Sequence, residues 1–176
     1  MKVKKQVILV LIVMNVFTLF QAVHAYDYYI NKWPANYRNP LYYYPENVWS
    51  QWTFAKNAWN NEDCDCGDLA PDPDPDGNQP VVVMAVSKPG VSWKAKTSLT
   101  AGPDYTWAIG TVQLNNAKTY VYGEKRCICL HEVGHLWSLK DINTGDAVMD
   151  IQACIDSEYS YVGPQDDDKA GVNELY

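Results

Sequence analysis

Histidine is nearly absent from this chain: three occur in 176 residues, His24, His131 and His135. Basic residues are also few, 14 against 21 acids, for a formal charge of −7. So acidic a surface excludes nucleic acid and anionic membranes as natural partners, since both would be repelled. Internal repeats are missing, which excludes solenoids and propellers. Five cysteines, Cys64, Cys66, Cys127, Cys129 and Cys154, are the exception to this sparseness.

The first 25 residues divide into three parts. MKVKK is basic, QVILVLIVMNVFTLF is apolar, and QAVHA ends in a small-residue pattern at Val23 and Ala25. This order predicts a secretory signal peptide over residues 1–25, cut after Ala25. An uncleaved anchor is the alternative, but Asn15 and Thr18 interrupt the run and it is short for a span. Cleavage removes His24 with Lys2, Lys4 and Lys5, taking the formal charge from −7 to −10. What remains, residues 26–176, predicts one extracellular domain with its own core. Its two histidines both fall in HEVGH, residues 131–135.

Export would place all five cysteines where disulfides persist. Cys64 and Cys66 stand too close for an easy mutual bridge. Cys127 and Cys129, on a helix, would point to different sides and take different partners. Two bridges and one buried free thiol account for five, with the connectivity open.

Patterning predicts an α+β domain. Leu41 to Tyr44 reads as a strand between Pro40 and Pro45. ENVWSQWTFAKNAWNN reads as a helix, with Val48, Trp52, Ala55 and Trp59 on one stripe. DCDCGDLAPDPDPDGNQP is too rich in proline and glycine for helix or strand. VVVMAV, 81–86, predicts a buried strand, Gly102 to Asp104 a turn, and YTWAIGTVQLNN a further strand ending near Asn115. A helix is expected from about Glu124, and a last one opened by Pro164 and the acids that follow, which favour a helix N-terminus. Strands and one helix followed by two more helices is an α+β order.

HEVGH carries the chemistry. One helical turn apart, His131 and His135 project from one face and can share a tetrahedral metal ion. Glu132 lies beside the remaining coordination positions, where a carboxylate can take a proton from an attacking water and deliver it to a leaving amine. Asp72, Asp74, Asp76 and Gly77 are spaced like the first half of a calcium loop. Position 12 of that loop holds Val83 instead of a bidentate acid, and Pro73 and Pro75 favour an extended chain, so a solvated loop is the alternative to calcium.

HEVGHLWSLKD resembles the extended metzincin signature HExxHxxGxxH, with Ser138 in the glycine's place and Asp141 in that of the third histidine. The resemblance implies that Asp141 completes the ligand set, as in snapalysin-like metzincins. On the residues alone Asp146 or Asp150 could serve instead. It also implies a chain reversal at Ser138 wanting positive φ, and identifies GDAVMD with the Met-turn, putting Met149 beneath the metal. Around these, NKWPANYRNPLYYYP, ENVWSQWTFAKNAWN and GPQDDDKAGVNELY resemble the opening, first long helix and ending of a matrixin catalytic domain. AIGTVQLNNA resembles the family's edge strand, which implies a peptide lying along Ala108 to Leu114.

The expectation is therefore a secreted, monomeric zinc endopeptidase with a twisted mixed sheet, an N-terminal helix, an active-site helix, a Met-turn and a C-terminal helix. One zinc is implied, since the family's second needs more histidines. A peptide or protein is the partner, and no prodomain supplies latency. The changes at Ser138 and Asp141 motivate the alternative, a non-catalytic secreted binding protein on the same fold.

Overall fold

The computed structural model describes Trp33 and residues 41–72, 80–101, 108–143, 146–156 and 161–176. The signal-peptide segment, the turn at 102–104, Asp74 and Asp76 lie outside them. Among the described residues the fold is α+β, with five strands in one mixed sheet and four helices. The strands are β1 (Leu41–Glu46), β2 (Leu69–Pro71), β3 (Val81–Val86), β4 (Ala95–Ala101) and β5 (Ala108–Asn115). The helices are α1 (Ser50–Asn60), α2 (Glu124–Leu136), α3 (Ile151–Asp156) and α4 (Asp166–Leu175).

Across the sheet the order is β2-β1-β3-β5-β4. Every pairing is parallel except that of β4 with β5. One consequence corrects the sequence reading. Ala108 to Leu114 lie in β5, which is paired on both sides, so that strand is not an edge. The edge on that side of the sheet is β4, AKTSLTA, whose short polar run carries no strong strand signal. β5 buries Ala108, Gly110, Val112 and Leu114 while Ile109 stays exposed, the two-residue alternation of a sheet with one covered face.

Three local outcomes differ from the pattern in the sequence, each for a physical reason. β1 runs through Pro45 because β2 pairs only as far as Tyr43, leaving this stretch with one neighbouring strand and no ladder bond for a proline to break. The first helix consequently starts at Ser50, after Asn47 turns the chain at φ 52°. β2 forms within the proline-rich segment because Leu69 is fully buried and the Asn60 amide bonds both its N–H (3.0 Å) and its carbonyl (2.9 Å).

Helices α1 and α2 pack together beside the sheet. Trp52, Ala55 and Trp59, at helical spacing, turn one face of α1 into the core. The Trp59 indole donates to the Leu130 carbonyl at 3.0 Å, fixing α1 against the middle of α2. Gly110 lets the far end of α2 settle on β5: a Cβ there would stand 3.3 Å from Leu136 Cδ2 and 3.0 Å from Leu99 Cδ2. Trp33, fully buried, donates from its indole to the Leu136 carbonyl and from its backbone to Tyr176 Oη, tying the C-terminal end of α2 to the chain's last residue.

The cysteine pairing also departs from the expectation. Cys64 and Cys66 do bridge each other, their Cα atoms 5.3 Å apart in the turn after α1, where Gly67 at φ 73° bends the chain. That separation lies within the ordinary disulfide range, so sequence proximity was no obstacle. Cys127 bridges Cys154 and joins α2 to α3, while Cys129 stays a buried free thiol. Burial pushes that thiol far above its usual range, so it is inert.

Candidate metal centre

Helix α2 delivers the first two donors. His131 and His135 are buried on one face, their rings 4.5 Å apart. The helix then ends in a turn that returns the chain. Ser138 N–H bonds the His135 carbonyl at 2.9 Å and Leu139 N–H reaches the Gly134 carbonyl at 3.2 Å. This pair of bonds is a Schellman motif, which needs a left-handed residue at the position Ser138 fills. Ser138 adopts φ 71°, a glycine's conformation held by a residue with a Cβ.

That turn makes two contributions. It presents the Leu139 carbonyl to His135 Nδ1 at 2.7 Å, and it brings Asp141 over the two rings. His131 Nδ1 is held in the same way by the Val148 carbonyl at 2.9 Å. A carbonyl can only accept, so each Nδ1 carries the proton and each Nε2 keeps its lone pair. Both lone pairs face the same oxygen: Asp141 Oδ1 lies 2.9 Å from His131 Nε2 and 3.2 Å from His135 Nε2.

Three acceptors so arranged repel one another unless a proton or a cation lies among them. The pKa shifts express that demand. Once an Nε2 takes up a proton, hydrogen bonding to His131 and then to His135 holds the Asp141 carboxyl well below the usual carboxylate range. Burial opposes charging His131, but Asp141, Glu132 and the Val148 carbonyl together outweigh it and raise that imidazole. A divalent metal satisfies the same demand without the proton. Donors about 2.0–2.1 Å from a tetrahedral ion lie about 3.3 Å from one another; all three here lie within 4.8 Å of one another. The His131–His135–Asp141 group can therefore hold a metal ion.

Among the described residues no other three histidine, cysteine or acidic side chains group in this way. Asp146 and Asp150, the alternative third ligands, are engaged elsewhere. The Tyr161 hydroxyl donates to Asp146, and Asp150 Oδ1 accepts the backbone N–H groups of Gln152 and Ala153 at 3.1 Å each, at the start of α3. Of the calcium-loop acids only Asp72 is described.

Glu132 stands next to His131 on α2, 5 % exposed. The hydroxyl of Thr97, on edge strand β4, donates to its Oε2 at 2.5 Å. A pocket of about 290 Å³ opens beside Glu132 and His131, walled by Ile128, Ile151 and Ile155, with Lys94 and Glu124 at its border. The Cys127–Cys154 bridge fixes α3, and with it two of those isoleucines, to α2.

Met149 lies under the helix against Gly134: a Cβ at that glycine would be 2.3 Å from Met149 Sδ and 3.2 Å from Trp59. Its segment is held by Asp168 of α4. That carboxylate accepts the N–H of Val148 at 2.8 Å, of Met149 at 3.1 Å and of Gln165 at 2.8 Å. Burial pushes Asp168 up to about 6, against the pull of those three donors. Val148 in turn supplies the carbonyl that orients His131, so Asp168 positions a ligand it does not touch.

Sequence reasoning missed Thr97, Gly134 and Asp168 as parts of the site. Gly134 stood inside the motif and Asp168 inside the acidic start of the last helix, but neither position carries a signal of what it contacts. Comparison with known proteins finds no matching family model and no match among curated sequences.

Proposed function

We propose that this chain is a secreted, zinc-dependent endopeptidase of the metzincin type, acting on peptide or protein substrates. One observation carries the reading: two imidazole nitrogens and a carboxylate oxygen converge at one end of α2, with Glu132 on the same helix beside them. The donor set of two nitrogens and one oxygen suits zinc and leaves a fourth position for the reaction. A zinc ion held there would activate water and polarise the scissile carbonyl.

The rest of the chemistry belongs to the chain. Glu132 takes the proton of the attacking water and hands it to the leaving amine. Thr97 holds the Glu132 carboxylate in one orientation, and Leu139 and Val148 hold the two imidazoles in the ligating tautomer. The outer edge of β4, unpaired among the described residues, is the backbone against which an extended substrate would pair, since Thr97 brings that strand to the general base. The isoleucine-walled pocket would take an aliphatic side chain next to the cleaved bond.

The test is Glu132→Ala. Hydrolysis of a generic casein substrate should fall by at least about 100-fold, as for loss of a general base, with zinc near one per chain. Turnover retained in the variant would overturn the mechanism. Zinc without any cleavage by the parent protein would favour a binding protein that keeps the site.

A further inference from the structure

At the other end of α2 the surface changes character. A cleft of about 590 Å³ lies between the start of α1 and the connection from β5 into α2, lined by Phe54, Tyr120, Val121, Tyr122, Lys125 and Arg126 among others. Among the described residues no acid lines it. Glu124, the nearest carboxylate in sequence, is buried and turned away, accepting from Lys94 Nζ and from the Val121 N–H at 3.0 Å.

The two cations are fixed by aromatic rings and by no carboxylate among the described residues. Lys125 Nζ lies 4.4 Å from the Trp49 ring centroid and 4.9 Å from that of Tyr120. The Arg126 guanidinium lies 4.8 Å from that of Phe54. Such contacts hold a cation in place without neutralising it. At the rim two apolar residues stand in solvent, Val121 at 59 % and Tyr122 at 95 % exposure. Positive charge with no carboxylate against it among the described residues, aromatic walls and an apolar rim thus coincide on a chain whose formal charge is −7.

We propose that this cleft is a second peptide-binding surface, taking a substrate segment that carries acidic side chains beside an apolar one. Complementary charge selects the acid, and Tyr122 with Val121 supply the apolar contact. The net negative charge of the chain disfavours a polyanion such as nucleic acid or an anionic bilayer, whereas a short acidic segment meets only the local cations.

Its place matters for the proposed peptidase, and to that extent the inference rests on that reading. Tyr120, which lines the cleft, has its hydroxyl against the carbonyls of Asn115 and Lys94, and Lys94 lines the isoleucine-walled pocket. From Glu124 to His131 the helix rises about 10 Å, the reach of about three extended residues. Lys125 and Arg126 also stand about 120–140° around the helix from His131, so an acid held there would belong to a segment of the substrate remote from the cleaved bond.

The experiment measures binding, so it does not depend on turnover. A fluorescein-labelled peptide with three glutamates next to a leucine is titrated by anisotropy into the full protein and into its Glu132→Ala form. Both should bind it, more weakly as salt rises, and the glutamine version of the peptide should bind at least tenfold more weakly. Lys125→Gln with Arg126→Gln should bring the acidic peptide to the affinity of the glutamine one, with zinc content and melting temperature confirming the fold. Equal binding of the two peptides by the parent protein would overturn the proposal, and needs no variant. So would unchanged affinity in the double variant, or binding to phosphatidylserine vesicles with none to the peptide. Absence of hydrolysis with binding intact would sink the peptidase and leave the cleft standing.

Discussion

The two ends of α2 are built on opposite plans. At the C-terminal end three acceptor atoms converge, each fixed by a buried contact: carbonyls behind the imidazoles, and a left-handed turn behind Asp141. At the N-terminal end two cations stand apart over aromatic rings, with solvent beside them. The first arrangement needs a cation to complete it and is intolerant of loss. The second offers charge outward, so its effects should be graded and weakened by salt. One helix can carry both because its middle is locked by Trp59 and by the Cys127–Cys154 bridge.

The sharpest way to break that contrast is to remove a ligand. Asp141→Ala should lower zinc affinity by more than the roughly 10- to 100-fold usual for loss of an outer-sphere partner. Competition with a chromophoric chelator measures it. Asp146→Ala and Asp150→Ala should leave zinc affinity near that of the parent protein, and zinc lost with Asp150 but not Asp141 would refute the assigned triad. The charge-neutralising changes at Lys125 and Arg126 should not alter zinc binding at all.

A positioning residue should fall between these extremes. Asp168→Asn leaves one of three backbone N–H groups facing an amide nitrogen, at a cost of about 1–3 kcal/mol in unfolding free energy. Because burial raises Asp168 to about 6 in the fold, the native state holds this proton more tightly than the unfolded chain does. Its contribution to stability is complete below about pH 4, the unfolded value, and is lost as pH climbs through about 6. The penalty of the substitution in chelator-treated protein should therefore be larger near the acid end of that range than at neutrality. Denaturant melts across it provide the measurement, and a penalty independent of pH would show that Asp168 stays ionised throughout.

What could be read from the sequence follows the same division. The C-terminal half of α2 was legible because its chemistry is local: a helical turn fixes the spacing of His131 and His135, and the return at Ser138 to Asp141 is only three residues further. The buried stripe of α1 and the strand at 81–86 were legible from periodicity and apolarity. Edge strand β4 was not, because a polar seven-residue run becomes a strand only when β5 offers it a ladder. Thr97 was therefore invisible, as was the Cys64–Cys66 bridge, which depends on the bend at Gly67. The cationic cleft joins residues as far as 76 positions apart in sequence, from Ser50 to Arg126, and no local pattern announces that meeting.

The smallest effect tests the turn on which the metal end depends. Ser138 carries two costs together: a left-handed backbone with a Cβ, and a buried hydroxyl with no partner among the described residues. The first is about 1 kcal/mol and the second about 1–3 kcal/mol. Ser138→Gly removes both, while the freer unfolded glycine takes back about 0.5–1 kcal/mol. A net gain of at least about 1 kcal/mol, or at least about 2–4 °C in melting temperature, is expected with zinc affinity unchanged. Stabilisation would show that the serine strains the turn without shaping it. A loss of zinc in the glycine variant would instead mean that the Ser138 side chain helps to hold Asp141 over the imidazoles. The metal end would then tolerate change even less than its ligands alone suggest.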